Sequence, residues 1–180
     1  MLLFINACVR KDSRTLRIAH SILKNKNGYK ELKLEEMNLL PLNKERLEYR
    51  SHLAELNDFT DPIFDLSKEF SNADEIIIAA PYWDLGFPAL LKLYLENIYV
   101  IGIVSKYNEK GESIGLCHAK RLTYITTSGG KYIPDYSYDY IKSLALNFGI
   151  KEVKLIKAEM LDIDGIDANN IVEETIKNIK

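Results

Sequence analysis

Cysteine is scarce in this chain: Cys8 and Cys117 are the only two in 180 residues. They lie far apart and fit no metal-binding or dithiol spacing, which excludes a disulfide scaffold, a zinc ribbon and a Cys-x-x-Cys redox motif. Cys8 closes a buried strand pattern and reads as inert core. Charge of one sign is also missing, since 24 Lys and Arg stand against 26 Asp and Glu for a formal net charge of -2. With no basic block, a nucleic-acid or anionic-membrane partner is not expected. No apolar run approaches a membrane span. The opening Met1-Leu-Leu-Phe-Ile-Asn6 is too short for a secretory leader and lacks its basic start, so a cytoplasmic location is expected. Neither Gly-x-Gly-x-x-Gly nor a Gly-Lys-Ser/Thr loop is present, which excludes the two commonest nucleotide-binding loops. His20, His52 and His118 have no evident nucleophile or carboxylate beside them, so no triad chemistry and no metal site is expected.

What is there is an ordinary globular composition, 47% hydrophobic and 28% charged. The length suits a single domain over residues 1–180 with a sizeable core. Short apolar runs alternate with amphipathic segments. Strands are expected at 2–8, 29–34, 76–80, 121–127 and 152–158. Helices are expected from about 15 to 26, 43–56, 60–72, 89–98, 135–148 and 167–180. Ser13 or Thr15 would cap the first helix and Gly28 would end it. The helix over 43–56 reads as amphipathic through Leu47, Leu53 and Leu56. Tyr107-Asn-Glu-Lys-Gly111 reads as a hairpin tip or a long loop. Strands alternating with helices imply a parallel sheet covered on both faces, in one three-layer α/β/α domain.

The most informative stretch runs from Ile76 to Asn97. Its apolar start, Ile76-Ile-Ile-Ala-Ala80, is a strand buried on both faces. It breaks between Pro81 and Pro88 into a turn carrying Tyr82, Trp83 and Phe87, then enters a helix. In a parallel sheet this turn shares the carboxyl edge with loops 9–15 and 126–132, and ligands bind at that edge. The first loop leads into a helix start with Ser13, Thr15, Arg10, Lys11 and Arg14, the makings of a phosphate seat. The last, Thr127-Ser-Gly-Gly130, offers hydroxyls and unobstructed backbone. Taken singly, each loop also reads as ordinary packing, capping or turn chemistry. Together they describe a seat for a mononucleotide with a flat, partly apolar ring. With five strands and no dinucleotide fingerprint, the expected sheet order is 2-1-3-4-5, flavodoxin-like, with FMN at the switch point.

Four pieces carry a resemblance to a family: Ser13-Arg-Thr15; Ala80-Pro-Tyr-Trp-Asp-Leu85 with Pro88-Ala-Leu-Leu-Lys-Leu-Tyr-Leu95; Tyr107-Asn-Glu-Lys-Gly111; and Thr127-Ser-Gly-Gly130. The chain resembles the FMN-dependent NAD(P)H:quinone reductases and NADH-azoreductases of the flavodoxin-like superfamily. The resemblance implies that Ser13, Arg14 and Thr15 hold the FMN phosphate. Pro81, Tyr82, Trp83, Asp84 and Leu85 would line the ring, and Thr127, Ser128, Gly129 and Gly130 would meet its pyrimidine side. It also implies a homodimer with the active site at the interface, to which Tyr107 would contribute. Tyr107, Tyr132 and Phe87 are candidate substrate contacts, and Lys131 and Tyr132 candidate partners of the reduced ring. Two features depart from the family pattern: Ala7-Cys8 where a serine is common, and Thr127-Ser-Gly-Gly in place of Ser-Arg-Gly-Gly.

The expected activity is hydride transfer from NADH or NADPH through FMN to a quinone, azo or nitro aromatic acceptor, in a ping-pong sequence. Flavin carries such chemistry without a dedicated catalytic side chain. Two other readings share the fold: a flavodoxin-type electron carrier without substrate turnover, and a flavin-free binding domain. Near-neutral charge weighs against the carrier, whose docking favours an acidic surface.

Overall fold

The computed structural model describes residues 1–131 and 136–179. Five strands form one parallel sheet: β1 (Leu2–Asn6), β2 (Lys30–Lys33), β3 (Glu75–Ala79), β6 (Arg121–Thr127) and β7 (Glu152–Ala158). Between β3 and β6 the chain makes a separate antiparallel hairpin of β4 (Ser105–Tyr107) and β5 (Ser113–Gly115). Among the described residues, six α-helices accompany them: α1 (Arg14–Leu23), α2 (Lys44–Glu55), α3 (Asp65–Ser71), α4 (Ala89–Ile98), α5 (Tyr136–Asn147) and α6 (Ala168–Asn178).

Counted along the chain, the sheet reads β2-β1-β3-β6-β7, which replaces the expected 2-1-3-4-5. The two hairpin strands account for the change. They are three residues each and largely exposed, so they lack the apolar run by which a buried strand announces itself. The tip is closed by Asn108, whose Oδ1 accepts from the N–H groups of Lys110 and Glu112, both at 2.9 Å. Behind it, Gly115 lies flat against the Phe148–Gly149 backbone. A Cβ there would collide with main chain that cannot move aside.

Alternate residues of the strands enter two separate cores, as the period-two pleat requires. Leu3, Ile5, Ile76, Ile78, Leu122 and Tyr124 pack with residues of α3, α4 and α5, including Phe70, Leu91, Tyr94, Leu95, Ile141 and Ala145. Leu2, Phe4, Ile77, Ala79, Ile125 and Ile156 pack with Ile18, Ala19 and Leu23 of α1 and Val172 of α6. Each large aliphatic or aromatic side chain so buried contributes about 1.5–3 kcal/mol. This explains the unbroken apolar run of β3, which has β1 on one side and β6 on the other and apolar packing on both faces.

Two local expectations give way. The first helix ends at Leu23 with Lys24 as its cap, four residues before Gly28. Gly28 does take φ +90°, so its glycine serves the following turn instead. Helix α2 exists but buries none of its own residues. Leu47 and Leu56 are exposed, and only Leu53 and Ala54 reach the core. Leucines at helical spacing mark a helix; they do not by themselves determine how far it sinks into the core.

Candidate functional site

The chain leaves β1 for β2 on one side, then returns to place β3 on the other side of β1. The carboxyl ends of β1 and β3 therefore diverge, and a crevice opens between the loops that leave them. Main-chain pairing runs past the strand ends and fixes those loops. Ala7 N–H donates to Ala79 O at 2.9 Å, Ala80 N–H to Ile125 O at 3.0 Å, and Tyr82 N–H to Thr127 O at 2.9 Å.

A cavity of about 350 Å³ occupies this crevice. Its wall takes residues from all three loops read from the sequence: Ser13, Arg14 and Thr15; Pro81, Tyr82 and Trp83; Thr127, Ser128 and Gly129. Asp84, Leu85 and Gly130 lie outside the lining. Phe87 also lies outside it and packs its ring against Tyr140, with centroids 5.6 Å apart. Tyr107 stands exposed on the hairpin, Lys131 is exposed, and Tyr132 falls outside the described residues.

On the α1 side, Ser13 is the N-cap, and its Oγ accepts from Leu16 N–H at 3.2 Å. The N–H groups of the first helical turn have no intrahelical acceptor and carry the positive end of the helix dipole, which suits an anion. Thr15 is 1% exposed and joins its Oγ1 to that of Thr127 at 2.7 Å, linking the first and last loops directly. Cys8 lines the floor. Burial pushes its thiol up to about 11, against an opposing hydrogen bond with Ser13, so the sulfur stays protonated and unreactive.

The middle loop is a tight reversal. Trp83 and Gly86 exchange main-chain hydrogen bonds, Gly86 N–H to Trp83 O at 2.7 Å and Trp83 N–H to Gly86 O at 3.3 Å. The two residues between them, Asp84 and Leu85, take φ of 49° and 63°. This is the handedness of a type I′ turn, which asparagine and glycine usually supply. Leucine there is strained, and strain of this kind concentrates at functional sites. The turn holds Trp83 partly exposed at the cavity wall, 37% accessible.

The structure adds a fourth segment that the sequence reading missed. After β7, residues 160–162 pair with 128–130: Met160 N–H to Gly130 O at 3.1 Å, Leu161 N–H to Ser128 O at 3.1 Å, and Asp162 N–H to Gly129 O at 3.0 Å. Leu161 and Asp162 thereby join the cavity lining. Arg14 reaches across to them, donating from Nη1 to Leu161 O at 2.9 Å and to Asp162 Oδ1 at 2.7 Å. Gly129 lets the Asp162 carboxylate lie close against the loop, where a Cβ would push that side chain aside. No signal in the sequence marked 160–162, a short Met-Leu-Asp segment without glycine at its own turn position, where Met160 takes φ 66°.

The family described as "Flavodoxin-like fold" matches residues 1–180. The chain belongs to that flavodoxin-like family. Among curated relatives, FMN-dependent NADH:quinone oxidoreductase 2 of Clostridium acetobutylicum is 33% identical over 193 residues, covering 99% of this chain and 95% of that protein. The FMN-dependent NADH:quinone oxidoreductase of Clostridium beijerinckii is 40% identical over 122 residues, covering 66% of this chain and 61% of that protein. Among solved structures, an azoreductase from Bacillus anthracis superposes with a TM-score of 0.85 at 20% identity, covering 98% and 95% of the two chains. An FMN-dependent NADH-azoreductase from the same species, solved in complex with FMN, gives 0.82 at 22% identity, covering 99% and 94%. At such identities the two structures establish the flavodoxin-like fold. Among the described residues, no helix is long and apolar enough to cross a membrane.

Proposed function

We propose that this flavodoxin-like protein is an FMN-dependent oxidoreductase that uses NADH, or NADPH, to reduce a quinone, azo or nitro aromatic acceptor. The observation that carries the proposal is the meeting of three chemically distinct loops in one cavity. An anion seat at the start of α1, a Tyr82–Trp83 wall and the Thr127–Gly129 backbone all line it. The donor set fits FMN. Helix-start N–H groups, Arg10 and Arg14 suit a phosphate, and an aromatic wall beside amide-rich backbone suits a flat ring with a polar edge. The volume lies within the range of small-ligand cavities. The names of the relatives supply the reaction class.

When bound, FMN would supply the hydride-transfer chemistry that links a nicotinamide to an acceptor in two half-reactions. The chain's own part is to bind, orient and shield. Ser13, Arg14 and the main-chain N–H groups of the helix start at Thr15 would anchor the phosphate, Thr127, Ser128 and Gly129 would face the polar ring edge, and Pro81, Tyr82 and Trp83 would support the ring. Asp84, Leu85 and Gly130 keep the two flanking turns in shape, from just outside the lining. Phe87, Tyr107 and Tyr132 stand as substrate contacts. Lys131 is a further candidate for a positive group near the reduced ring. The reading includes a three-layer arrangement of helices about the sheet, supported by the division of the core in two. It also includes a homodimer closing over the site, supported by exposed apolar side chains at Leu85, Tyr107 and Tyr136.

Titrating flavin-free protein with FMN tests the proposal. Saturable quenching of flavin fluorescence, with FMN held more tightly than riboflavin, is the expected result. Absence of binding would overturn it.

A further inference from the structure

The cavity carries two arginines and two carboxylates, Arg10 and Arg14 with Asp12 and Asp162. A phosphate monoester is close to a dianion at neutral pH, so each of these side chains bears on how tightly it is held. Here the charges balance. Asp162 is the acid that engages a cation directly, through the 2.7 Å contact of its Oδ1 with Nη1 of Arg14. Its main chain is held by the bond from its N–H to Gly129 O, and its other carboxylate oxygen lies where a Cβ of Gly129 would stand, while Leu161 O anchors the same arginine nitrogen.

Resting on the flavin reading above, we propose that Asp162 is a positioning residue that sets how tightly the seat holds a phosphate. It acts through Arg14. It takes up one edge of the guanidinium, leaving Nε and Nη2 for a ligand, and it places a negative charge beside any phosphate that binds. Arg14 keeps its Leu161 anchor when the Asp162 charge is removed, so the arginine stays in place and the repulsion goes. The consequence is a flavin site that discriminates FMN from riboflavin less strongly than its arginines alone would allow. Both partners are substantially solvent-exposed, at 40% and 69% of their side-chain surfaces, so the effect is screened and modest.

The test is fluorescence titration of flavin-free protein with FMN and with riboflavin, at low ionic strength. Asp162→Asn is expected to bind FMN about three- to fivefold more tightly than wild type, the scale of a solvent-exposed charge pair. Riboflavin binding should change less than FMN binding, so that the FMN:riboflavin ratio rises. Asp162→Glu, which keeps the charge, should keep the wild-type FMN:riboflavin ratio. Asp162→Ser serves as a second charge-removing variant if the asparagine variant does not fold. A wild type that prefers FMN, with a ratio that stays level or falls on removing the Asp162 charge, overturns this inference alone. A wild type that holds neither flavin, or holds both equally, overturns the phosphate-seat reading on which it rests.

Discussion

Thr15 and Thr127 share one hydrogen bond at 2.7 Å, and the two ends of that bond differ in their access to water. Thr15 is 1% exposed, whereas Thr127 is half-buried at the cavity wall. Replacing either by valine keeps the shape and removes one hydroxyl. Thr127→Val strands a buried hydroxyl, which costs about 1–2 kcal/mol. Thr15→Val strands one that the cavity can hydrate, which costs about 0.5–1 kcal/mol. Replacing both removes the unpaired group altogether, so the double variant should be no worse than the milder single one. The cycle should thus give a coupling of at least about 1–2 kcal/mol, the full cost of Thr127→Val, well above the few tenths that unconnected sites show. Urea unfolding of the four proteins measures it, and thermal scans should place Thr127→Val about 2–6 °C below wild type. Additive costs, or a Thr15→Val effect larger than that of Thr127→Val, would refute the reasoning. The bond would then not be what joins the first loop to the last.

Leu85 tests the strained turn. A β-branched residue tolerates positive φ worse than leucine, so Leu85→Val should lose about 1–2 kcal/mol although the side chain is half exposed, while Leu85→Asn should unfold no more easily than wild type. Chemical denaturation compares the three. Trp83→Ala should weaken FMN binding by about 0.5–1.5 kcal/mol if the indole stacks on the ring, read by fluorescence titration; unchanged affinity would place the ring elsewhere. Cys8 predicts an alkaline weakness. Its folded-state pKa of about 11 lies above the ordinary 9.0, so the folded protein holds this proton where the unfolded chain releases it. Stability from this source is intact below pH 9 and is lost as pH rises through 11, to a limit of about 3 kcal/mol. Unfolding curves at pH 8 and above should show that loss, reduced in Cys8→Ala.

The sheet and three of the four walls of the cavity were legible because each leaves a local mark. The apolar run at 76–80, the proline-bounded aromatic turn and the Ser13 cap depend on neighbours in sequence. Asp162 leaves no such mark. Its place in the cavity comes from pairing with residues more than thirty positions earlier and from an arginine 148 positions away. The hairpin strands were too short and too exposed to read as strands. Helix α2 reads equally well as half-buried or as surface, since spacing of leucines fixes a face and says nothing about how much of it a neighbour covers. Asp84 and Leu85 belong to the aromatic turn by sequence, yet the reversal at Trp83–Gly86 carries them past the cavity wall.

The central claim is that this cavity supports electron transfer from a nicotinamide to an acceptor. The most direct measurement is anaerobic addition of NADH to the FMN-reconstituted protein while the visible flavin absorbance is followed, with a quinone added afterwards. The account predicts that NADH bleaches the flavin and that the quinone restores the colour. Flavin that stays coloured with both NADH and NADPH would contradict it and favour an electron carrier without turnover.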